Sequence, residues 1–134
     1  FKINDIDFNR IKLLNHSATW FEHMNLYNQI DIALDPIGSH AGVTTTCEAL
    51  WMGVPTITLA GDRMSQRQGV SILHAINKRD WIGDSIEDYI NKVVNASMNK
   101  NQRIILRKIV QNSLLCDTSD LVNSLELAYI TSIK

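Results

Sequence analysis

The sequence predicts an α/β fold, a parallel sheet with helices on both faces. Three observations predict it. Apolar runs of strand length alternate with amphipathic runs of helix length over residues 10–98, the pattern of a parallel sheet whose faces are covered. Two helix-start signals, each a hydroxyl residue followed three positions later by Glu or Gln, punctuate that alternation. The 134 residues, 45% of them hydrophobic, fit one domain with one core. Right-handed crossovers collect the loops after the strands at one edge of such a Rossmann-like sheet. Open α/β sheets bind ligands at that edge.

The elements follow in order. Arg10 to Leu14 reads as a short first strand. Thr19-Trp20-Phe21-Glu22 is a capping box; its helix runs to about Gln29 with Phe21, Met24 and Tyr27 on the apolar side. Ile30 to Asp35 reads as a second, largely buried strand, and Pro36 to Gly42 as a loop. A helix follows from Val43 or Thr44 to Met52, with Val43, Cys47, Leu50 and Trp51 as its buried face. Gly53 caps it and Pro55 stops it. Pro55 to Leu59 is a third strand, broken by Gly61 and Asp62. Ser65 and Gln68 frame a second capping box, for a helix to about Ile76 that buries Val70, Leu73 and Ile76. Trp81-Ile82 adds a short fourth strand. Ser85 to about Met98 is helical with Ile86, Tyr89, Ile90 and Val93 on one face. Two more helices cover 101–114 and 119–131, the last with Leu121, Val122, Leu125, Ala128 and Tyr129 in register.

The formal charge is −1, from 13 basic and 14 acidic residues. It excludes a global attraction to nucleic acid or to an anionic membrane, so an anionic ligand must be held locally. No apolar run approaches a membrane span, and no signal peptide opens the chain. Cys47 and Cys116 form neither a CxxC pair nor a metal-ligand spacing with the four histidines. They read as buried free thiols in a reducing cytosol, and no metal or cofactor is expected. The chain opens on Phe1 rather than Met and reads as part of a larger protein.

Chemistry concentrates between Leu34 and Gly69. The loop 36–42 enters a helix whose first turn is Thr44-Thr45-Thr46. The first N–H groups of a helix lack internal partners and carry the positive end of its dipole. With glycines allowing close approach, such a helix start suits a pyrophosphate. The loop is neither GxGxxG nor a P-loop, and no Lys opens the helix. Glu48 lies one turn deeper, where a carboxylate accepts from sugar hydroxyls instead of repelling phosphate.

The contiguous run Gly42-Val43-Thr44-Thr45-Thr46-Cys47-Glu48-Ala49-Leu50-Trp51-Met52-Gly53-Val54-Pro55 resembles the nucleotide-binding motif of the O-linked N-acetylglucosamine transferase and SPINDLY family. The flanks Asp31–Asp35 and Thr56–Arg67 are similar too, and the resemblance covers about residues 10–83. It implies the C-terminal lobe of a GT-B glycosyltransferase, with a nucleotide sugar, a UDP-sugar above all, between two lobes. It implies that Gly42, Thr44, Thr45 and Thr46 hold the donor diphosphate, that Glu48 holds the ribose, and that His23, eight residues before Asp31, lies beside the base. Arg67 joins the donor site. The implied reaction moves N-acetylglucosamine from UDP-N-acetylglucosamine to a protein hydroxyl without a metal. An N-terminal lobe and tetratricopeptide repeats are expected elsewhere in the same protein. Val43 stands where the animal transferase has His, and Trp20 where the family has a ribose-contacting lysine.

Other readings stand beside these. His23 and His40 also fit solvated histidines, Thr44–Thr46 a plain helix cap, and Glu48 a surface acid. Arg63 and Arg67 face either donor phosphates or solvent. Asp35 braces the loop rather than acting as a base. Lys100, Arg103 and Arg107 form a solvated helix face, His16 and His74 are structural or surface residues, and the three tryptophans belong to the core. The alternatives in function are a non-catalytic interaction domain that kept the fold, a transferase with another donor sugar, or one with an asparagine acceptor.

Overall fold

The structure, a computed structural model, describes residues 4–35, 42–98 and 103–133. Strands β1 (Ala33–Leu34), β2 (Thr56–Leu59) and β3 (Ile82–Gly83) form a parallel sheet in the order β1-β2-β3. Ala33 pairs with Thr56 and Leu34 with Ile57; Thr58 pairs with Ile82 and Leu59 with Gly83. Successive strand residues point to opposite faces. Thr56, Ile57 and Thr58 are all buried, so both faces of the central strand are covered, as a parallel sheet requires.

Among the described residues, six helices accompany this sheet: α1 (Trp20–Leu26), α2 (Thr44–Trp51), α3 (Gln68–Ala75), α4 (Ile86–Ser97), α5 (Arg103–Gln111) and α6 (Thr118–Ser132). The Thr19–Glu22 capping box forms as expected, with Thr19 Oγ1 accepting from Glu22 N–H at 3.1 Å. Helix α2 ends in a Schellman motif. The N–H of Val54 donates to Ala49 O and that of Gly53 to Leu50 O, with Gly53 at φ +76°.

Two apolar clusters meet on α2. Leu50 packs with Val70, Leu73, Ile76, Ile82 and Leu106, and Ala49 with Met24, Tyr27 and Val54. Both α2 residues are fully buried. The helix is thereby fixed from two sides, and its N-terminus is aimed at the carboxyl edge of the sheet.

Several elements differ from the sequence reading. Residues 11–17 form no strand; Leu13 and Leu14 are exposed, and no neighbouring strand among the described residues offers them a ladder. β1 is shorter than 30–35, and Leu34 at its edge is exposed. On α1, Met24 and Tyr27 are buried but Phe21 is exposed. The buried face of α2 is Thr46, Ala49 and Leu50, one position round from the predicted stripe, so Val43 and Trp51 face outward. The second capping box does not open α3. Residues 64–66 form a 3-10 turn in which Gln66 Oε1 accepts from Arg63 N–H, and α3 starts at Gln68. Trp81 lies in a 3-10 turn, and the fourth strand starts one residue later. On α4, Tyr89 is buried while Ile86 and Ile90 are exposed. Helix α6 keeps its apolar stripe, yet all of its described residues are exposed. Trp20 and Trp51 are exposed rather than core, and so is Cys116.

Candidate functional site

The start of α2 presents its backbone donors outward. The first intrahelical bond runs from Cys47 N–H to Val43 O at 3.0 Å, which leaves the N–H groups of Thr44, Thr45 and Thr46 without helical partners. Val43 supplies no side-chain cap. Thr44 and Thr45 are exposed, so their hydroxyls extend the same donor surface. Thr46 behaves differently: it is buried, and its hydroxyl donates to Gly42 O at 3.0 Å.

Asp35 holds this turn in place. Its Oδ1 accepts from Gly42 N–H at 2.6 Å and its Oδ2 from the Thr58 hydroxyl at 2.5 Å. The carboxylate is 3% exposed, and Gly69 of α3 is the space it occupies. A Cβ at Gly69 would overlap Asp35 Oδ2 and lie 2.7 Å from Thr58 Oγ1. Asp35 therefore ties Gly42 to the middle of β2.

One turn into α2, Glu48 gathers a second group. Its Oε2 accepts from the Tyr27 hydroxyl at 3.0 Å and lies 3.0 Å from His23 Nε2. A carboxylate offers acceptors, so Nε2 is the nitrogen that carries the proton. The His23 and Tyr27 rings meet edge to face, 5.7 Å between centroids. Among the described residues, Glu48 Oε1 accepts no hydrogen bond. Burial, then the Glu48 hydrogen bond and charge, push the Tyr27 phenol up to about 12, which keeps it a donor through the neutral range.

An apolar cavity of about 370 Å³ adjoins Glu48, walled by Trp20, Met24, Cys47, Trp51 and Leu115. Burial pushes the Cys47 thiol up, with Cys116 and Glu48 adding to it. A larger cleft of about 840 Å³ opens between the end of α3, α5 and the start of α6. It contains none of the candidate residues and carries no part of the site.

The structure thus joins His23 of α1 to Glu48 of α2, and Gly42 to Thr46 directly and to Thr58 through Asp35. Arg67 is exposed, and its Nη1 donates to Gly61 O at 2.9 Å. His40 and Lys100 lie outside the described residues. Arg103 is more than a solvated cation, because its guanidinium donates to the carbonyls of Tyr27 (3.0 Å) and Ile30. Tyr27 was legible only as a core residue. The signal for more was its i+4 spacing from His23, which puts both rings on one helix face.

The chain matches the sequence profile of glycosyl transferase family 41 over residues 2–129. It is 36% identical over 92% of its length to the probable UDP-N-acetylglucosamine–peptide N-acetylglucosaminyltransferase SPINDLY of Eustoma exaltatum subsp. russellianum. It is 35% identical over 81% of its length to the probable UDP-N-acetylglucosamine–peptide N-acetylglucosaminyltransferase SEC of Arabidopsis thaliana. It spans only 13% and 12% of those relatives. Among solved structures it is similar to a mutant O-GlcNAc transferase of Thermobaculum terrenum, at TM-score 0.77 and 31% identity over 90% of this chain and 24% of that one.

Proposed function

The chain belongs to glycosyl transferase family 41, and we propose that it is the donor-binding part of an enzyme moving N-acetylglucosamine from UDP-N-acetylglucosamine to a protein hydroxyl. The fold is that of a GT-B lobe. One observation carries the reading. Among the described residues, a single helix presents N–H groups at Thr44–Thr46 that lack helical partners and, one turn deeper, a Glu48 carboxylate whose Oε1 accepts no hydrogen bond. Diphosphate and ribose need that spacing of donors and acceptor. The helix start stabilises the charge that develops on the leaving diphosphate. His23 lies beside the base. Gly42, braced by Asp35, lets the chain approach the phosphates. Arg67, braced on Gly61, flanks the donor phosphates.

In this reading the second lobe supplies the acceptor wall of the cleft, since transfer needs the acceptor oxygen held against the anomeric carbon. A cytosolic location belongs to the same proposal, and the two free cysteines support it. Among the described residues no helix is long and apolar enough to cross a membrane.

Titration calorimetry with uridine diphosphate tests the proposal. Hydrogen bonds to charged groups contribute about 1.5–3 kcal/mol, so Glu48→Ala is expected to weaken binding about tenfold or more. Unchanged affinity removes Glu48 from the donor site. A proline at Thr45 deletes one N–H in a first turn that tolerates it. It is expected to weaken diphosphate binding more than uridine binding; equal losses argue against a phosphate site on α2.

A further inference from the structure

We infer that Tyr27 is a positioning residue for the donor ribose: with His23 it occupies one oxygen of Glu48 and so turns the other toward the ligand. The inference rests on the reading of Glu48 as the ribose-binding group.

Tyr27 is 7% exposed, and its ring packs with Met24, Ala49 and Val54. A buried phenol needs a partner for its hydroxyl, and Glu48 Oε2 is that partner at 3.0 Å. His23, one helical turn earlier, approaches the same oxygen at 3.0 Å. Two donors, His23 on α1 and Tyr27 at its C-cap, thus converge on one atom of α2. A glutamate on a helix surface samples many rotamers; this one is held by both rings. Because Oε2 is taken, the free lone pairs belong to Oε1. The Tyr27 end of α1 is fixed in turn, since the Arg103 guanidinium of α5 binds the Tyr27 and Ile30 carbonyls. The cleft lined by Tyr27, Asp35, Thr45 and Thr46 places the phenol beside the helix start as well.

Tyr27→Phe keeps the ring and its packing and removes only the hydroxyl. Binding of uridine diphosphate and of 2′,3′-dideoxyuridine diphosphate is measured for the wild-type protein, Tyr27→Phe, Glu48→Ala and the double variant. The expected result is a loss of about three- to tenfold for uridine diphosphate in Tyr27→Phe, less than a direct contact with a charged group gives. Affinity for the dideoxy analogue is unchanged. In the Glu48→Ala background Tyr27→Phe adds no further loss. The ratio of the two affinities is read within one variant, so a smaller folded fraction does not imitate it. Equal losses on both analogues, no loss on either, or a further loss without Glu48 overturns the role of Tyr27. A wild-type protein that binds neither analogue, or both equally, overturns the ribose reading of Glu48 and the inference with it. That outcome is visible before any Tyr27 variant is compared.

Discussion

Gly53→Ala is expected to destabilise the protein by about 2–4 kcal/mol, from left-handed strain and overpacking together. Gly53 sits at φ +76°, where an L side chain is strained. A Cβ there would lie 2.5 Å from the backbone oxygen of Arg103, and backbone at the first turn of α5 does not yield as a side-chain tip does. The consequence extends beyond the turn. Gly53 closes the helix that carries Thr45 and Glu48, and Arg103 ties α5 to the end of α1. Thermal melts followed by circular dichroism should show a midpoint roughly 10 °C lower. Gly53→Asn separates the two causes. Asparagine tolerates the left-handed region but keeps the Cβ, so it should recover only part of the loss. Full recovery would show that the approach of Arg103 costs nothing.

Local signals in the sequence located what local chemistry determines. The Thr19 capping box, the Gly53 stop and the helix start at Thr44 all depend on neighbours a few residues away. Residues 10–14 and the buried faces of α2 and α4 were not legible, because they depend on what lies opposite. A run such as Arg10-Ile11-Lys12-Leu13-Leu14 has a strand's composition, yet a strand exists only where another backbone completes its ladder. The stripe on α6 has the right period, but periodicity does not name the surface that covers it. The site divides the same way. Glu48 and Thr44–Thr46 were legible from their spacing along one helix. The convergence of Tyr27 and His23 on one Glu48 oxygen, across 21 and 25 residues, needed the packing of α1 on α2.

Asp35→Ala is expected to have the largest effect, about 2–5 kcal/mol of stability together with most of the affinity for uridine diphosphate. The carboxylate joins three segments: the end of β1, the Gly42 turn and the middle of β2. Its removal leaves the Gly42 N–H and the Thr58 hydroxyl without their acceptor, and each orphaned buried group costs about 1–3 kcal/mol. Alanine also vacates the space beside Gly69 that the carboxylate fills. The Gly42 turn is then free to move, and with it the carbonyl that receives the Thr46 hydroxyl. Asp35→Asn is expected to keep most of both properties. Its amide oxygen still accepts from Gly42 N–H. Its NH₂ group fills the place of Oδ2 and donates to the Thr58 oxygen, because a hydroxyl accepts as readily as it donates. A catalytic base would give no such ranking in a transfer assay, since asparagine cannot take a proton and would fail as badly as alanine. Denaturant melts and uridine diphosphate titrations on both variants, with a transfer assay of the full-length enzyme beside them, therefore decide between bracing and base catalysis. Near-native stability and binding in Asp35→Asn, with both lost in Asp35→Ala, identify Asp35 as the brace of the diphosphate turn. Equal losses in the two variants overturn that assignment.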